Sequence, residues 1–147
     1  MEISDILSQN TILMSLKATT KRELLSEMSQ KLARHENIDF RTVEDSMLER
    51  ENLGSTAYGG GVAMPHARIN GAKRVKAYFA KLSEAIDFDA TDGQKVDLFF
   101  MLVSPENSGA DHLEALATLS KVFRNKSLCL KLRKATTKDE IYKILTK

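Results

Sequence analysis

Residues 96–103 read Val-Asp-Leu-Phe-Phe-Met-Leu-Val, an apolar run broken by one aspartate. Eight residues are short for a buried helix and right for a strand, and a strand apolar at consecutive positions must have both faces out of water. That run therefore requires cover on two sides, and only packed helices elsewhere in the chain can provide it. Pro105 is expected to end the strand, because proline has no N–H to give a ladder.

The helices are legible from their periodicity. Thr20-Lys21-Arg22-Glu23 is a capping box, followed by Leu24, Leu25, Met28 and Leu32 at helical spacing, which predicts a helix to about Arg34. A second helix is predicted from Phe40 to Glu51, with Val43 and Met47 one turn apart. A third runs from Asp111 to Arg124, with Leu113, Leu116 and Phe123 on its inner side and Leu119 near them. Leu128 and Leu132 mark a shorter helix over 125–134, and Thr137-Lys138-Asp139-Glu140 opens a last one with Ile141, Ile144 and Leu145 inward. Ile3–Leu7 reads as a single turn.

Further strand signals fall at Thr11–Leu16, Val62–Met64 and Arg74–Leu82. Ala67–Gly71 reads as a loop with an Asn-Gly turn, and 84–94 as turn-rich with Ile86 and Phe88 tucked in. Helices, then strands, then helices, with few strict βαβ units, predict an α/β (α+β-like) fold. The expected architecture is one domain over 1–147, a mixed sheet of about five strands with helices on both faces.

Composition excludes several functions. A net charge of +2 with no aromatic-interleaved basic patch gives no basis for nucleic-acid binding. No apolar run approaches the ~18 residues that a membrane helix needs, and no signal peptide is expected at the N-terminus. A single cysteine, Cys129, fits a reducing compartment and a buried packing role, so a cytoplasmic address is expected. The three histidines are far apart, with no His-x-x-x-His or Cys-x-x-Cys pair, so neither a metal nor a cofactor is expected. His35 ends a helix in polar surroundings and is read as solvated or capping.

The chemistry concentrates in 49–66, Glu-Arg-Glu-Asn-Leu-Gly-Ser-Thr-Ala-Tyr-Gly-Gly-Gly-Val-Ala-Met-Pro-His, which holds four of the seven glycines. Gly59–Gly61 predict a shaped loop. Pro65 stops the apolar strand before it and places His66 at the strand's end, where it is expected to face the glycine loop. An imidazole half-neutral near pH 6.5 offers a ring nitrogen able to attack an electrophile and hold it covalently. For a phosphoryl group the same stretch supplies anion donors: the Arg50 guanidinium, the Ser55 and Thr56 hydroxyls, and loop N–H groups. The plainer readings are a structural histidine, a solvated Arg50 paired with Glu49 or Glu51, and hydroxyls that only close a turn. The glycines match neither a P-loop nor a dinucleotide-binding fingerprint.

The run Arg50-Glu51-x-x-Gly-Ser-Thr…Gly-x-Gly-Val-Ala-Met-Pro-His66 closely resembles the phosphohistidine motif of the fructose/mannitol-type (type 2) enzyme IIA proteins of the bacterial phosphotransferase system. Ala57 and Tyr58 depart from that motif, which usually has a glycine and an aliphatic residue there, so altered local packing is expected. The resemblance implies a cytoplasmic phosphotransferase in which His66 becomes a tele-phosphohistidine through Nε2. It also implies a mixed sheet sandwiched by helices. Asp111-His112-Leu113-x-x-Leu116 is similar to the place of the family's second active-site histidine. His112 is thereby implied to orient His66 or stabilise its phosphate; Asp111 would favour its charged form, whereas a helix N-terminus would disfavour that form and itself attract the phosphate. The implied donor is the small histidine phosphocarrier protein.

The run Phe123-Arg124-Asn125-Lys126-Ser127-Leu128-Cys129-x-x-Leu132-Arg133 looks most like the nitrogen-regulatory branch, whose members act on regulatory target proteins. Three alternatives stay open. One is a sugar-specific IIA that passes phosphate to a IIB protein. Another is an interaction module switched by histidine phosphorylation without onward transfer. The third is an anion-binding domain that is never phosphorylated.

Overall fold

The computed structural model describes residues 1–147. Along the chain lie helix α1 (Ile3–Ile6), a 3₁₀ turn (Gln9–Thr11), strand β1 (Ile12–Leu13), and helices α2 (Lys21–Glu36) and α3 (Phe40–Asn52). Strands β2 (Ala57–Gly59), β3 (Val62–Ala63), β4 (His66–Ile69), β5 (Lys76–Ile86) and β6 (Val96–Pro105) follow. Helices α4 (Ala110–Arg124), α5 (Lys126–Lys134) and α6 (Lys138–Thr146) close the chain. The result is a single α/β domain built on a mixed sheet of six strands, in the order β1-β5-β6-β3-β2, with β4 also on β6.

Strand β6 is the spine, and its pattern explains the two layers. Phe99, Met101 and Val103 point into one core with α2 and α3, while Leu98, Phe100 and Leu102 point into a second core with α4, α5 and α6. Alternate side chains of a strand take opposite faces, so a continuous apolar run serves both. Thr20 caps α2 and Thr137 caps α6 by accepting the N–H groups of Glu23 and Glu140. Asn37, in the left-handed region at φ 56°, ends α2.

Four expectations need correction. Residues 14–16 lie outside β1. Residues 84–86, read as turn-rich, continue β5, whereas Pro105 ends β6 as expected, as its last residue and partnered with Ile69. Leu113 is 63% exposed, since the inward stripe of α4 is His112, Ala115, Leu119 and Phe123. The stretch after His66, read as loop, is strand β4, parallel to β6 in the register His66↔Leu102 and Arg68↔Ser104. Four residues of mixed polarity carry little strand signal alone; pairing with β6 makes them one.

This last element positions the site. Pro65 separates β3 from β4, and its carbonyl accepts from Leu102 N–H at 2.9 Å. Strand β4 pairs with β6 alone. At that edge, α3 from one face and α4 from the other both reach His66.

Candidate active site

His66 opens β4, partly buried, with Nδ1 2.8 Å from the Met64 carbonyl oxygen. A carbonyl only accepts, so in the neutral ring Nδ1 carries the hydrogen and Nε2 keeps the lone pair. Burial lowers the pKa of His66 below the ordinary imidazole value; the Met64 carbonyl opposes the shift and Arg50 adds to it. The neutral ring thus has one nitrogen committed and one free, able to act as a nucleophile.

His112 stands in the first turn of α4, only 5% exposed, and its ring centre lies 5.7 Å from that of His66. Its Nδ1 is 2.7 Å from the hydroxyl of Ser104, a buried residue of β6. Burial, then the charges of Arg68 and His66, push its pKa down to about 4. Of the opposing influences expected on His112, that of Asp111 does not prevail: Asp111 is exposed, and desolvation dominates.

Arg50, in the last turn of α3, donates to the Gly54 carbonyl at 2.9 Å and forms no ion pair, contrary to the pairing weighed for Glu49 or Glu51. Together with His66, His112, Glu49, Leu53 and Arg68 it lines a cleft of about 420 Å³. Arg68, two residues beyond His66, donates to the Gly109 carbonyl at 3.0 Å, joining β4 to the start of α4.

Ser55 and Thr56 line a smaller hollow of about 120 Å³ that Arg50 and His66 also line. The Ser55 hydroxyl donates to the Phe88 carbonyl at 2.6 Å, and that of Thr56 donates to Glu51, whose carboxylate also takes the Thr56 N–H and pairs with Lys21. Phosphate contact by either hydroxyl would compete with these bonds. The three glycines do not face His66. They turn the β2–β3 hairpin, with Gly60 N–H given to Asp92 and the Gly60 and Gly61 carbonyls bound by Arg133. Tyr58, half exposed in the middle of β2, reaches Ser120 of α4 with its hydroxyl. His35 lies elsewhere, exposed and edge-on to Tyr78, and Cys129 is buried.

Reading the sequence missed Arg68 and Ser104. Arg68 was hidden by the reading of 67–71 as loop: only along an extended chain does the side chain two residues on return to the same face. Ser104 was hidden too, since its role depends on how α4 sits over β6.

Residues 5–147 match the model of a protein family described as phosphoenolpyruvate-dependent sugar phosphotransferase system, EIIA 2, and the chain belongs to that family. A nitrogen regulatory protein of Bradyrhizobium diazoefficiens is 40% identical over 145 residues, covering 99% of this chain and 95% of that protein. The crystal structure of nitrogen regulatory protein IIA-Ntr from Neisseria meningitidis superposes with a TM-score of 0.92 at 36% identity, covering 98% of this chain and 99% of that one. The mannitol enzyme IIA of Escherichia coli, solved in complex with phosphorylated enzyme IIB, shares the fold with a TM-score of 0.80 at 20% identity, covering 95% of this chain and 98% of that one. No helix of the chain is long and apolar enough to cross a membrane.

Proposed function

We propose that the chain is a cytoplasmic phosphocarrier that accepts a phosphoryl group on His66 Nε2 from the histidine phosphocarrier protein and acts through regulatory partner proteins. The observation that carries this reading is the bond from His66 Nδ1 to the Met64 carbonyl, which leaves Nε2 as the free nucleophile in a cleft walled by Arg50, Arg68 and His112. In the transfer, the Nε2 lone pair forms the new P–N bond. The P–N bond of the donor breaks, and its electron pair returns to the donor's imidazole. No proton leaves His66: Nδ1 keeps its hydrogen, and the Met64 carbonyl stabilises the positive charge that grows on the ring. Charge on the phosphoryl oxygens is met by Arg50, Arg68 and His112, so positioning and electrostatics provide the catalysis without a metal. Ser55 and Thr56 hold the α3–β2 turn in shape and are the remaining candidates for phosphate contact.

The names of the relatives at 40% and 36% identity favour regulatory targets over a sugar-specific acceptor. Transfer to a IIB protein is the second reading, favoured by the mannitol IIA–IIB complex on the same fold.

The test is incubation with the phosphorylated carrier protein. Wild type should gain acid-labile, alkali-stable phosphate, and His66→Gln none. Undiminished labelling of His66→Gln would overturn the assignment. Adding a IIB protein then separates the two readings, since only a transit site loses its label to it.

A further inference from the structure

Ser104 has no exposed surface, and its hydroxyl has one hydrogen-bond partner, His112 Nδ1 at 2.7 Å. Two arrangements fit that distance. If Nδ1–H donated to the hydroxyl oxygen, the serine's own hydrogen would be left in a buried site with nothing to accept it. If the hydroxyl donates to Nδ1, both atoms are satisfied. An unpaired buried polar hydrogen disfavours the first arrangement by roughly tenfold or more. The ring hydrogen of neutral His112 then sits on Nε2. That nitrogen has no partner within the chain, yet it is not among the fully buried unpaired atoms, so it opens on the cleft that His112 shares with His66.

We propose that Ser104 is a positioning residue that fixes His112 as its Nε2–H tautomer, so that His112 presents a hydrogen-bond donor to a phosphoryl group on His66. The inference rests on the reading of His66 as the phosphoryl acceptor. The two rings are then set in opposite senses by two neighbours of opposite character. A carbonyl, which only accepts, leaves His66 a lone pair on Nε2. A hydroxyl, which here donates, leaves His112 a hydrogen on Nε2. The tautomer matters because burial and the adjacent Arg68 keep His112 neutral. A cationic ring would carry hydrogens on both nitrogens whatever Ser104 did, whereas a neutral ring has one to place. Ser104 also resists protonation of His112, since a hydrogen on Nδ1 would force the hydroxyl to turn and strand its own.

Nitrogen-15 NMR of the histidine rings in the unphosphorylated chain tests the tautomer. Wild-type His112 should show an unprotonated Nδ1 that accepts a hydrogen bond and a protonated Nε2, and Ser104→Ala should show a mixture. A protonated Nδ1 in wild type would overturn the proposal, and this arm needs neither the variant to fold nor His66 to be phosphorylated. Single-turnover transfer from the phosphorylated carrier protein is the second arm. Ser104→Ala should slow transfer roughly three- to tenfold, the worth of a partly lost hydrogen bond, and should move the pH profile as His112 becomes easier to protonate. In a His112→Gln background the same substitution should change nothing, because no tautomer remains to set. An equal slowing in both backgrounds overturns the proposal in favour of a packing role. Failure of wild type to take up phosphate would instead remove the reading of His66 and leave the tautomer decided by NMR.

Discussion

One carbonyl sets which ring nitrogen of His66 is free. Met64 lies two residues back, and its carbonyl oxygen meets the imidazole's Nδ1 across the intervening Pro65. Arg50 acts from outside that local unit. It has no carboxylate partner to quench it, and its planar fork is suited to two phosphoryl oxygens. Arg50→Ala should therefore slow single-turnover transfer by roughly a hundredfold, as loss of one preorganised anion donor does, while the label still ends on His66. Rates measured by rapid quench check this; an unchanged rate would place the guanidinium outside the transition state.

At the scale of elements, the glycine hairpin is a support for the site and not its cradle. Arg133 of α5 binds Asp97 of β6 and the carbonyls of Gly60 and Gly61, lashing the β2–β3 turn to the sheet. Gly61 has φ +82°, and a Cβ there would lie 2.7 Å from the Arg133 guanidinium, whereas Gly60 at φ +70° has open space around it. Gly61→Ala should cost about 2–4 kcal/mol from left-handed strain plus the clash, and Gly60→Ala about 1–2 kcal/mol from strain alone. Urea unfolding of the two variants measures the difference, and equal costs would show that the clamp yields freely. A similar device ends α5: the Lys81 ammonium, from β5, takes the carbonyls of Leu132, Arg133 and Ala135, where no left-handed glycine caps the helix.

Across the whole molecule, stability and function share β6. Phe100 is fully buried, stacked on Phe123 of α4 at 4.7 Å between ring centres and edge-on to Phe79 of β5 at 5.3 Å. Phe100→Ala should cost about 3–5 kcal/mol, read as a lower urea midpoint with an unchanged slope. The two site histidines also tie stability to pH. Both have folded pKa values below the ordinary imidazole value of about 6.5, that of His112 at about 4. Between those values the unfolded chain binds protons that the native site refuses. Their contribution is thus fully present above about pH 6.5 and is lost as the pH falls towards 4. Thermal midpoints should decline through that window in wild type and decline less in His112→Gln; parallel curves would show that His112 titrates normally.

The sequence alone determined the helices, because capping boxes and apolar spacing are local signals, and the double-faced strand 96–103, because consecutive apolar residues admit no solvated side. It also determined the identity of His66 and Arg50 as candidates, since both sit in one continuous motif. What the tertiary structure decided was everything that depends on non-local pairing. Strand β4 exists because β6 offers it a ladder, and Arg68 joins the cleft because β4 is extended. Ser55 and Thr56 point their hydroxyl hydrogens at Phe88 and Glu51, partners that their local sequence does not single out. Ser104 meets His112 because α4 packs over the end of β6, a contact set by the fit of two layers that no spacing along the chain encodes.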